Sequence, residues 1–331
     1  MRKWLLLFLA ILLAAGCTRQ GSSAPPSLPL KELRLGYMAN LTHAQAILGM
    51  HSGSFERAVG VPIVTHLFPS GSAAMQALFA GELDLLYVGP GPATNGFLRS
   101  KGEALRVIAG AASGGAVFVL REGLDPRDLR GLRLATPGLA NTQDIALRSL
   151  LAENEWRTRE RGGDVTVTPM APAEMISLFA RNQIDGAWVA EPWGSRLIQE
   201  AGGVLAYDER DLWPDRTFAT TLLVARPDIL AANRREVTAF LAVHIALTQW
   251  IQSNPDQARE QLQEALAALQ GKPLPAELVA EALGRIDFRS DPMIDSVEEQ
   301  ARRAFDLGFL GARPPDLTGM FDLSLLQEVA P

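Results

Sequence analysis

The sequence predicts an α/β fold with two lobes. From residue 33 to residue 201, short apolar runs typical of strands alternate with helical patterns of three- and four-residue apolar spacing. The alternation occurs as two series of similar order and length, on either side of residues 113–115. Beyond residue 225 the pattern changes to helices only. We therefore expect two sheets with crossover helices, and a helical C-terminal block.

The N-terminus has the features of a secretory signal. A basic tip is followed by an apolar run too short to span a bilayer, and the small residues 14–16 lead into Cys17, the only cysteine. Small residues before a cysteine resemble the bacterial lipoprotein box, in which the thiol is lipidated. We expect residues 1–16 to be a cleaved signal peptide, Cys17 to be lipidated, and residues 17–30 to form a flexible tether. An ordinary cleaved signal with an incidental cysteine is the alternative.

Composition and charge exclude several classes of protein. The chain has 331 residues, of which 47% are hydrophobic and 21% charged, and its formal net charge is −6. This composition is typical of a globular protein, and the acidic balance argues against a nucleic-acid partner. A single cysteine cannot form an intramolecular disulfide, so the fold depends on its core. We expect attachment to the membrane through the lipid anchor only.

The two series of elements predict the two lobes in order. The first series predicts strands at 33–38, 62–67, 83–88 and 105–111, with helices at 42–52, 71–80 and about 91–100. The second predicts strands at 117–120, 132–136, 165–169 and 184–189, with helices at 142–153, 173–180 and 192–201. Parallel strands joined by crossover helices are the expected arrangement in both lobes.

The last part of the chain is expected to complete the first lobe. A strand at 218–225 is followed by predicted helices at 237–252, 255–269, 275–286 and 295–307. Because these helices have no sheet of their own, we expect them to pack on lobe 1. The chain then crosses between the lobes near 113–115 and near 217–221, which predicts a two-strand hinge. Lobe 1 would contain residues 31–114 and 221–331, and lobe 2 would contain residues 115–220.

Polar or glycine-rich segments follow four of the predicted strands. In open α/β sheets, ligands bind at the carboxyl ends of strands, where helices begin. Helix N-termini carry partial positive charge and unpaired N–H groups, so several converging ones form an anion site without a lysine. Taken singly, each segment could also be no more than a helix cap. The candidate ligand-binding residues here are Asn40, Thr42, His43, Ser70, Ser72, Gly89, Gly91, Thr94, Asn141, Thr142 and Gln143.

A fifth junction, after the strand ending at residue 189, contains Glu191 and Trp193. Trp193 is a candidate for stacking on an organic ligand, whereas Trp188 is expected in the core. A carboxylate at Glu191 is costly opposite a bare oxyanion, so a ligand facing it would carry an amine or another donor. The alternative for Glu191 is a negative charge at a helix start.

No arrangement of residues predicts an enzyme. The histidines at 43, 51, 66 and 244 lack metal-ligand spacing, although a zinc site from the first three is an alternative. The chain has no G-x-S-x-G elbow, P-loop or dinucleotide fingerprint. His43 lies beside Thr42, but no third group that could orient them is evident. We therefore expect a binding protein with neither a metal nor a cofactor.

Several of these segments together resemble the nitrate, sulfonate and taurine group of bacterial ABC-transporter substrate-binding proteins. This group is related to the pyrimidine-precursor binders of thiamine uptake, and the resemblance covers nearly all of the mature chain. It implies a type II periplasmic-binding-protein fold that closes over a small ligand and delivers it to a permease powered by a separate ATPase. The segments are Leu35-Gly36-Tyr37 with Asn40-Leu41-Thr42-His43-Ala44-Gln45, Ala80-Gly81-Glu82-Leu83-Asp84 with Gly89-Pro90, Asn141-Thr142-Gln143-Asp144, and Asp185-Gly186-Ala187-Trp188 with Glu191-Pro192-Trp193.

The resemblance leaves several ligands open. An organic sulfonate or a related small anion such as nitrate or taurine is favoured, and a thiamine-precursor pyrimidine is the second candidate. The yeast-type pyrimidine synthase shares the fold and is the alternative from another class, but it is associated with a cysteine-rich segment that this chain lacks. We expect a monomer in the cell envelope, anchored on the extracytoplasmic side of the membrane.

Overall fold

The computed structural model describes residues 30–329. The predicted signal peptide, the lipidation site at Cys17 and the tether up to residue 29 lie outside the described residues. Within residues 30–329, no helix combines the length and the apolar character that crossing a membrane requires.

The described residues form two β-sheets. The first has the strand order β11-β4-β10-β3-β1-β2, and the second has the order β7-β6-β8-β5-β9. We call the first sheet with its helices lobe 1 and the second lobe 2. The strands are β1 (Leu33–Tyr37), β2 (Ile63–Leu67), β3 (Leu85–Val88), β4 (Arg106–Gly114), β5 (Ala116–Arg121), β6 (Arg133–Thr136), β7 (Thr166–Pro169), β8 (Gly186–Ala190), β9 (Gly203–Asp208), β10 (Ala219–Ala225) and β11 (Ile286–Phe288).

Helices cover both sheets. They are α1 (Ala44–His51), α2 (Ser54–Val59), α3 (Gly71–Phe79), α4 (Pro90–Arg99), α5 (Thr142–Glu153), α6 (Pro172–Ala180), α7 (Trp193–Ala201), α8 (Pro227–Ala232), α9 (Arg234–Ser253), α10 (Pro255–Gln270), α11 (Ala276–Leu283), α12 (Ile294–Asp306) and α13 (Ser324–Val329). The helix predicted over 42–52 is divided into a 3-10 turn (Leu41–His43) and α1. Gly53, at φ 66°, then separates α1 from α2.

Both sheets are mixed, so the expectation of parallel strands throughout is wrong. β1 pairs in parallel with β2 and β3, and β6 pairs in parallel with β7 and β8. β5 and β10 run antiparallel to their neighbours. The reason is connectivity: β5 and β10 are the strands that enter each lobe from the other, and only local strand-helix-strand units impose a parallel neighbour.

The core of lobe 1 lies on both faces of its sheet. In β3, Leu85 and Tyr87 point into the cluster formed with α1, α9 and α10, while Leu86 and Val88 point into the cluster formed with α3, α4 and α12. Side chains alternate between the faces of a strand, so a strand covered on both sides is apolar at every position. The predicted packing of C-terminal helices on lobe 1 is thereby confirmed.

The expectation that only helices follow residue 225 is wrong. The helix predicted over 275–286 ends at Leu283, and β11 then adds to the edge of the first sheet, where Asp287 pairs with Ser113. A three-residue strand is too short to show periodicity. β9, which was also missed, is half exposed at the edge of the second sheet and has no clean alternation.

The chain passes from one sheet to the other at Gly115, between β4 and β5, and returns before β10. Gly114 and Gly115 have φ values of 69° and 70°, which favour glycine. A Cβ at Gly114 would lie 2.6 Å from the carbonyl oxygen of Arg285, so this crossing is also tightly enclosed. Two C-terminal helices also touch lobe 2, since α11 contacts α7 and α12 contacts α5.

Candidate ligand-binding site between the lobes

A cavity lies between the two lobes at the carboxyl ends of strands from both sheets. Its volume open to the centre of a water molecule is about 40 Å³. None of the lining residues is Asp, Glu, Lys or Arg. The lining residues are Met38, Asn40, Thr42, His43, Pro69, Ser70, Gly71, Gly89, Pro92, Pro137, Asn141, Thr142, Gln143, Pro172, Ala190, Trp193, Thr220 and Thr221.

The structure brings most of the predicted site residues to this cavity. Ser72 and Gly91 lie at its edge, where each bonds across to the other lobe. Thr94 is buried one turn further along α4, and Glu191 lies behind the wall of the cavity. The predicted residues that line the cavity are Asn40, Thr42, His43, Ser70, Gly89, Asn141, Thr142, Gln143 and Trp193.

Direct hydrogen bonds join the lobes around the cavity. The Ser72 hydroxyl donates to Asn141 Oδ1 at 3.0 Å, and the Gly91 amide donates to Thr142 Oγ1 at 3.2 Å. On the other side, Trp193 Nε1 donates to Asn40 Oδ1 at 2.8 Å. The structure is therefore a closed form in which the lobes touch.

These bonds leave donors facing the cavity. The amide oxygens of Asn40 and Asn141 are both used between the lobes, so each side chain keeps its NH₂ group for another partner. Thr142 Oγ1 accepts from Gly91, which leaves its hydroxyl hydrogen available. Thr221 Oγ1 is buried and has no hydrogen-bond partner within residues 30–329. The arrangement suits a ligand that accepts hydrogen bonds.

The start of α5 adds backbone donors. Asn141 is the N-cap residue, and its side chain makes no capping hydrogen bond to this helix. The first amides of an uncapped helix carry the positive end of its dipole. Asp144 in the first turn is fully buried and does not line the cavity, and its carboxylate accepts hydrogen bonds from Arg148, Thr136 and the Ala140 amide. Its charge is therefore compensated locally.

His43 is neutral in this form. Burial lowers the pKa of its imidazole to about 3. The Met38 amide lies 3.5 Å from Nδ1, an arrangement in which Nδ1 accepts and Nε2 carries the proton. With His43 uncharged, the cavity lining carries no formal charge at neutral pH.

Two threonines of the site were missed by sequence reasoning. Thr220 and Thr221 lie in β10, at the second crossing between the lobes, and both line the cavity. A signal was present, because two consecutive threonines interrupt an otherwise apolar strand from residue 218 to residue 225. Polar side chains in a fully buried strand need a partner, and here one hydroxyl faces the cavity without one in the described chain.

Glu191 does not face the cavity. Its carboxylate is fully buried and forms an ion pair with Arg285, with Oε1 at 2.6 Å from Nη1. The Ser195 hydroxyl and amide also donate to it, at 3.1 and 2.9 Å. Burial raises the pKa of the Glu191 carboxyl, and the Ser195 amide and the Arg285 guanidinium oppose this effect. The carboxylate is thus already satisfied without a ligand amine.

The three histidines of the alternative zinc site lie in three different elements of the structure. His43 lines the cavity, His51 ends α1, and His66 lies in β2. Within residues 30–329, no group of three His, Cys, Asp or Glu side chains is arranged to hold a metal ion. Trp188 is fully buried, as expected, and its Nε1 donates to Glu209 at 2.7 Å.

The fold is that of the periplasmic binding proteins. The crystal structure of the periplasmic nitrate-binding protein NrtA from Synechocystis PCC 6803 superposes with a TM-score of 0.76 at 16% identity, covering 91% of this chain and 89% of NrtA. The predicted type II periplasmic-binding-protein fold is therefore confirmed.

The chain belongs to the NMT1-like family, whose model matches residues 27–267. A putative binding protein from Brucella abortus is 30% identical over 240 residues, which cover 70% of this chain and 72% of the relative. The taurine-binding periplasmic protein of Escherichia coli is 25% identical over 224 residues, covering 66% and 68% of the two chains. These matches confirm the resemblance to the nitrate, sulfonate and taurine group.

Proposed function

We propose that this protein is the extracytoplasmic solute-binding component of an ABC importer and that it captures a small oxyanion between its lobes. The anion class is an organic sulfonate or a nitrate-like ion. Membership of the NMT1-like family supports the binding role, as do relatives that bind taurine and nitrate by name. The partner is a permease with its ATPase subunits, and the role is capture and delivery, without turnover.

The observation that carries the proposal is a cavity that combines uncommitted donors with the absence of charge. Asn40, Asn141, Thr142 and Thr221 each have a donor that no residue of the described chain uses. Oxygen atoms of a sulfonate or nitrate accept such bonds, and the start of α5 favours negative charge. A buried carboxylate in the same space would repel the anion, and none lines it.

The size of the cavity also favours a small ligand. A single water needs about 10–15 Å³ by the same measure, so about 40 Å³ has room for a few atoms of that size. This matches an oxyanion group with a short tail. A pyrimidine precursor has less support, because the space is small and Glu191 is already paired with Arg285.

The lipid anchor belongs to the same proposal. Lipidation at Cys17 would hold a monomeric binding protein at the outer face of the membrane, close to its permease. Replacement of Cys17 with Ser should release the protein from the membrane fraction, and mass spectrometry of the N-terminus should show loss of the acyl groups. A wild-type protein that is already soluble and unmodified would contradict the anchor.

A thermal-shift panel tests the ligand. Nitrate, methanesulfonate, ethanesulfonate, taurine and an aminopyrimidine are compared with chloride at equal ionic strength. A ligand at a hundred times its Kd stabilises the folded protein by about 2.7 kcal/mol. We expect a shift with an oxyanion and none with chloride. A shift with the aminopyrimidine alone, or no shift with any anion, would overturn the proposed ligand class, and chemical conversion of the bound ligand would overturn the binding role.

A further inference from the structure

We propose that Arg285 is a positioning residue for ligand capture: it holds Glu191 across the hinge and thereby sets the start of α7, with Trp193, against the cavity. Arg285 belongs to the segment between α11 and β11 of lobe 1, whereas Glu191 follows β8 of lobe 2. Neither side chain lines the cavity. Two measurements test this proposal. The ligand affinity rests on the proposed function, whereas the hydrogen exchange of the ligand-free protein does not.

Glu191 is tied to its surroundings at three points. Its carboxylate pairs with Arg285 at 2.6 Å, and its carbonyl oxygen accepts from the Leu41 amide of lobe 1 at 2.9 Å. Its own amide donates to the carbonyl oxygen of Gly115 at 2.8 Å, at the crossing between the lobes. Gly115 in turn donates to the carbonyl oxygen of Arg285 at 2.7 Å. Arg285 and Glu191 therefore join the hinge strand and both lobes in one bonded ring.

Trp193 follows Glu191 by two residues and depends on this ring for its position. Its indole donates to Asn40 at 2.8 Å, and the Arg196 guanidinium lies 4.7 Å from the ring centroid. Ser195 bonds to the Glu191 carboxylate through both its amide and its hydroxyl. The first turn of α7 is therefore fixed to a carboxylate that Arg285 holds in place.

Stability alone does not account for a buried ion pair. Taking two charges out of water is costly, and well-packed apolar residues in their place are often as stabilising or more so. What the pair supplies is a fixed geometry, because the guanidinium bonds Glu191, the Ser195 hydroxyl and Glu281 at once, at 2.6, 2.9 and 2.5 Å. A lysine ammonium cannot reproduce that planar fork.

The chain offers a matched control close by. Glu281 bonds the other side of the Arg285 guanidinium and also accepts from Gln199 of α7 at 3.0 Å, but 40% of its side chain is exposed. Glu281→Gln therefore perturbs a contact between lobe 1 and α7 while the buried pair of Arg285 with Glu191 stays intact.

The test compares three variants: Glu281→Gln, Arg285→Lys, and the double variant Glu191→Leu with Arg285→Met. Without ligand, hydrogen exchange is followed at the Arg196 amide in the first turn of α7, which donates to the Pro192 carbonyl oxygen at 3.0 Å and keeps this acceptor in every variant. We expect exchange there to be about fivefold faster in the double variant and in Arg285→Lys, with the melting temperature of the double variant close to wild type. Unchanged exchange in both would overturn the proposal.

The affinity arm uses ethanesulfonate as the probe in calorimetry. We expect about tenfold weaker binding in the double variant and in Arg285→Lys, and wild-type binding in Glu281→Gln. A double variant that recovers both thermal stability and affinity would show that the pair is only structural. If the wild type does not bind ethanesulfonate, ethanesulfonate is rejected as a ligand, and the hydrogen-exchange result still decides whether Arg285 is a positioning residue. If the double variant does not fold, Arg285→Lys decides both arms.

Discussion

The cavity and the Glu191–Arg285 pair behind its wall are built in opposite ways. Both are buried and both are made by the two lobes together. The cavity contains no charged side chain, yet it presents donors that no residue of the described chain uses. The pair contains two charges, and the Glu191 carboxylate accepts hydrogen bonds from Arg285 and Ser195.

This difference corresponds to two roles: the cavity captures the ligand, and the ion pair positions the wall of the cavity. A site that binds a ligand must keep hydrogen-bonding groups uncommitted, and uncommitted neutral groups cost less to bury than an uncommitted charge. A group that fixes geometry gains from being fully satisfied. The uncharged cavity can therefore open and close without leaving an unpaired charge buried, while Glu191 and Arg285 remain paired beside the hinge.

The largest expected effect tests whether the cavity is uncharged. The folded-state pKa of His43 is about 3, below the ordinary value of 6.5. As the pH falls below 6.5, the unfolded chain binds a proton at this residue and the folded protein does not, so stability is lost. The loss approaches about 1.4 kcal/mol per pH unit once the unfolded residue is mostly protonated, and it amounts to about 2.3 kcal/mol from pH 6.5 to 4.5.

Denaturant unfolding of the wild type and of His43→Gln isolates this contribution. Glu209, with its pKa raised by burial to about 7, acts in the opposite direction but is common to both proteins. His244, with a pKa lowered by burial to about 4, is common to both as well. The difference in unfolding free energy should therefore change by about 2.3 kcal/mol between the two pH values. A constant difference would show that His43 titrates alike in the folded and unfolded protein, and the cavity would then become cationic below about pH 6.5.

The next effect concerns closure of the lobes. A Cβ at Gly91 would lie 3.0 Å from the Thr142 backbone nitrogen and 3.1 Å from the Ala140 carbonyl oxygen, both across the cavity. Backbone atoms cannot rotate aside, so Gly91→Ala should hold the lobes apart and weaken ligand binding by about 2 kcal/mol, or about 30-fold.

Small-angle scattering and calorimetry measure the two consequences of Gly91→Ala. The scattering should show a more open particle in the presence of ligand. The matched control is Gly284→Ala, where the new Cβ would meet no atom closer than 3.4 Å. Wild-type affinity in Gly91→Ala would mean that the ligand-bound lobes sit further apart than in the present structure.

Many of the residues that line the cavity could be predicted, because the helix starts that carry them depend on neighbouring residues in the sequence. The helix predicted over 142–153 matches α5, since Asn141 precedes a clear apolar period. Ser70 caps α3 through Ala73, as a serine before a helix indicates. The rule that ligands bind at carboxyl ends of strands then brings such segments together without knowledge of any contact.

The pairing of Glu191 could not be predicted, because its partner is 94 residues away. Arg285 fell inside a segment whose apolar spacing predicted a helix to residue 286, so nothing in the local pattern placed its side chain beside a hinge. Without that partner, a buried carboxylate near the site suggested a ligand amine. Long-range charge pairing and short edge strands such as β11 arise from tertiary packing, which a single sequence does not reveal.

The smallest expected effect separates two neighbouring threonines. Thr221 Oγ1 has no hydrogen-bond partner in the described chain, whereas Thr220 Oγ1 donates to the Gly114 carbonyl oxygen at 2.5 Å. Thr221→Val should weaken anion binding by about 1 kcal/mol and leave stability unchanged or slightly higher, because no internal bond is lost. Thr220→Val should instead lower stability by about 1 kcal/mol. Calorimetric titration and thermal unfolding of both variants distinguish the two patterns. If Thr221→Val lowers stability and binds the anion normally, its hydroxyl serves the fold and does not contribute to the ligand site.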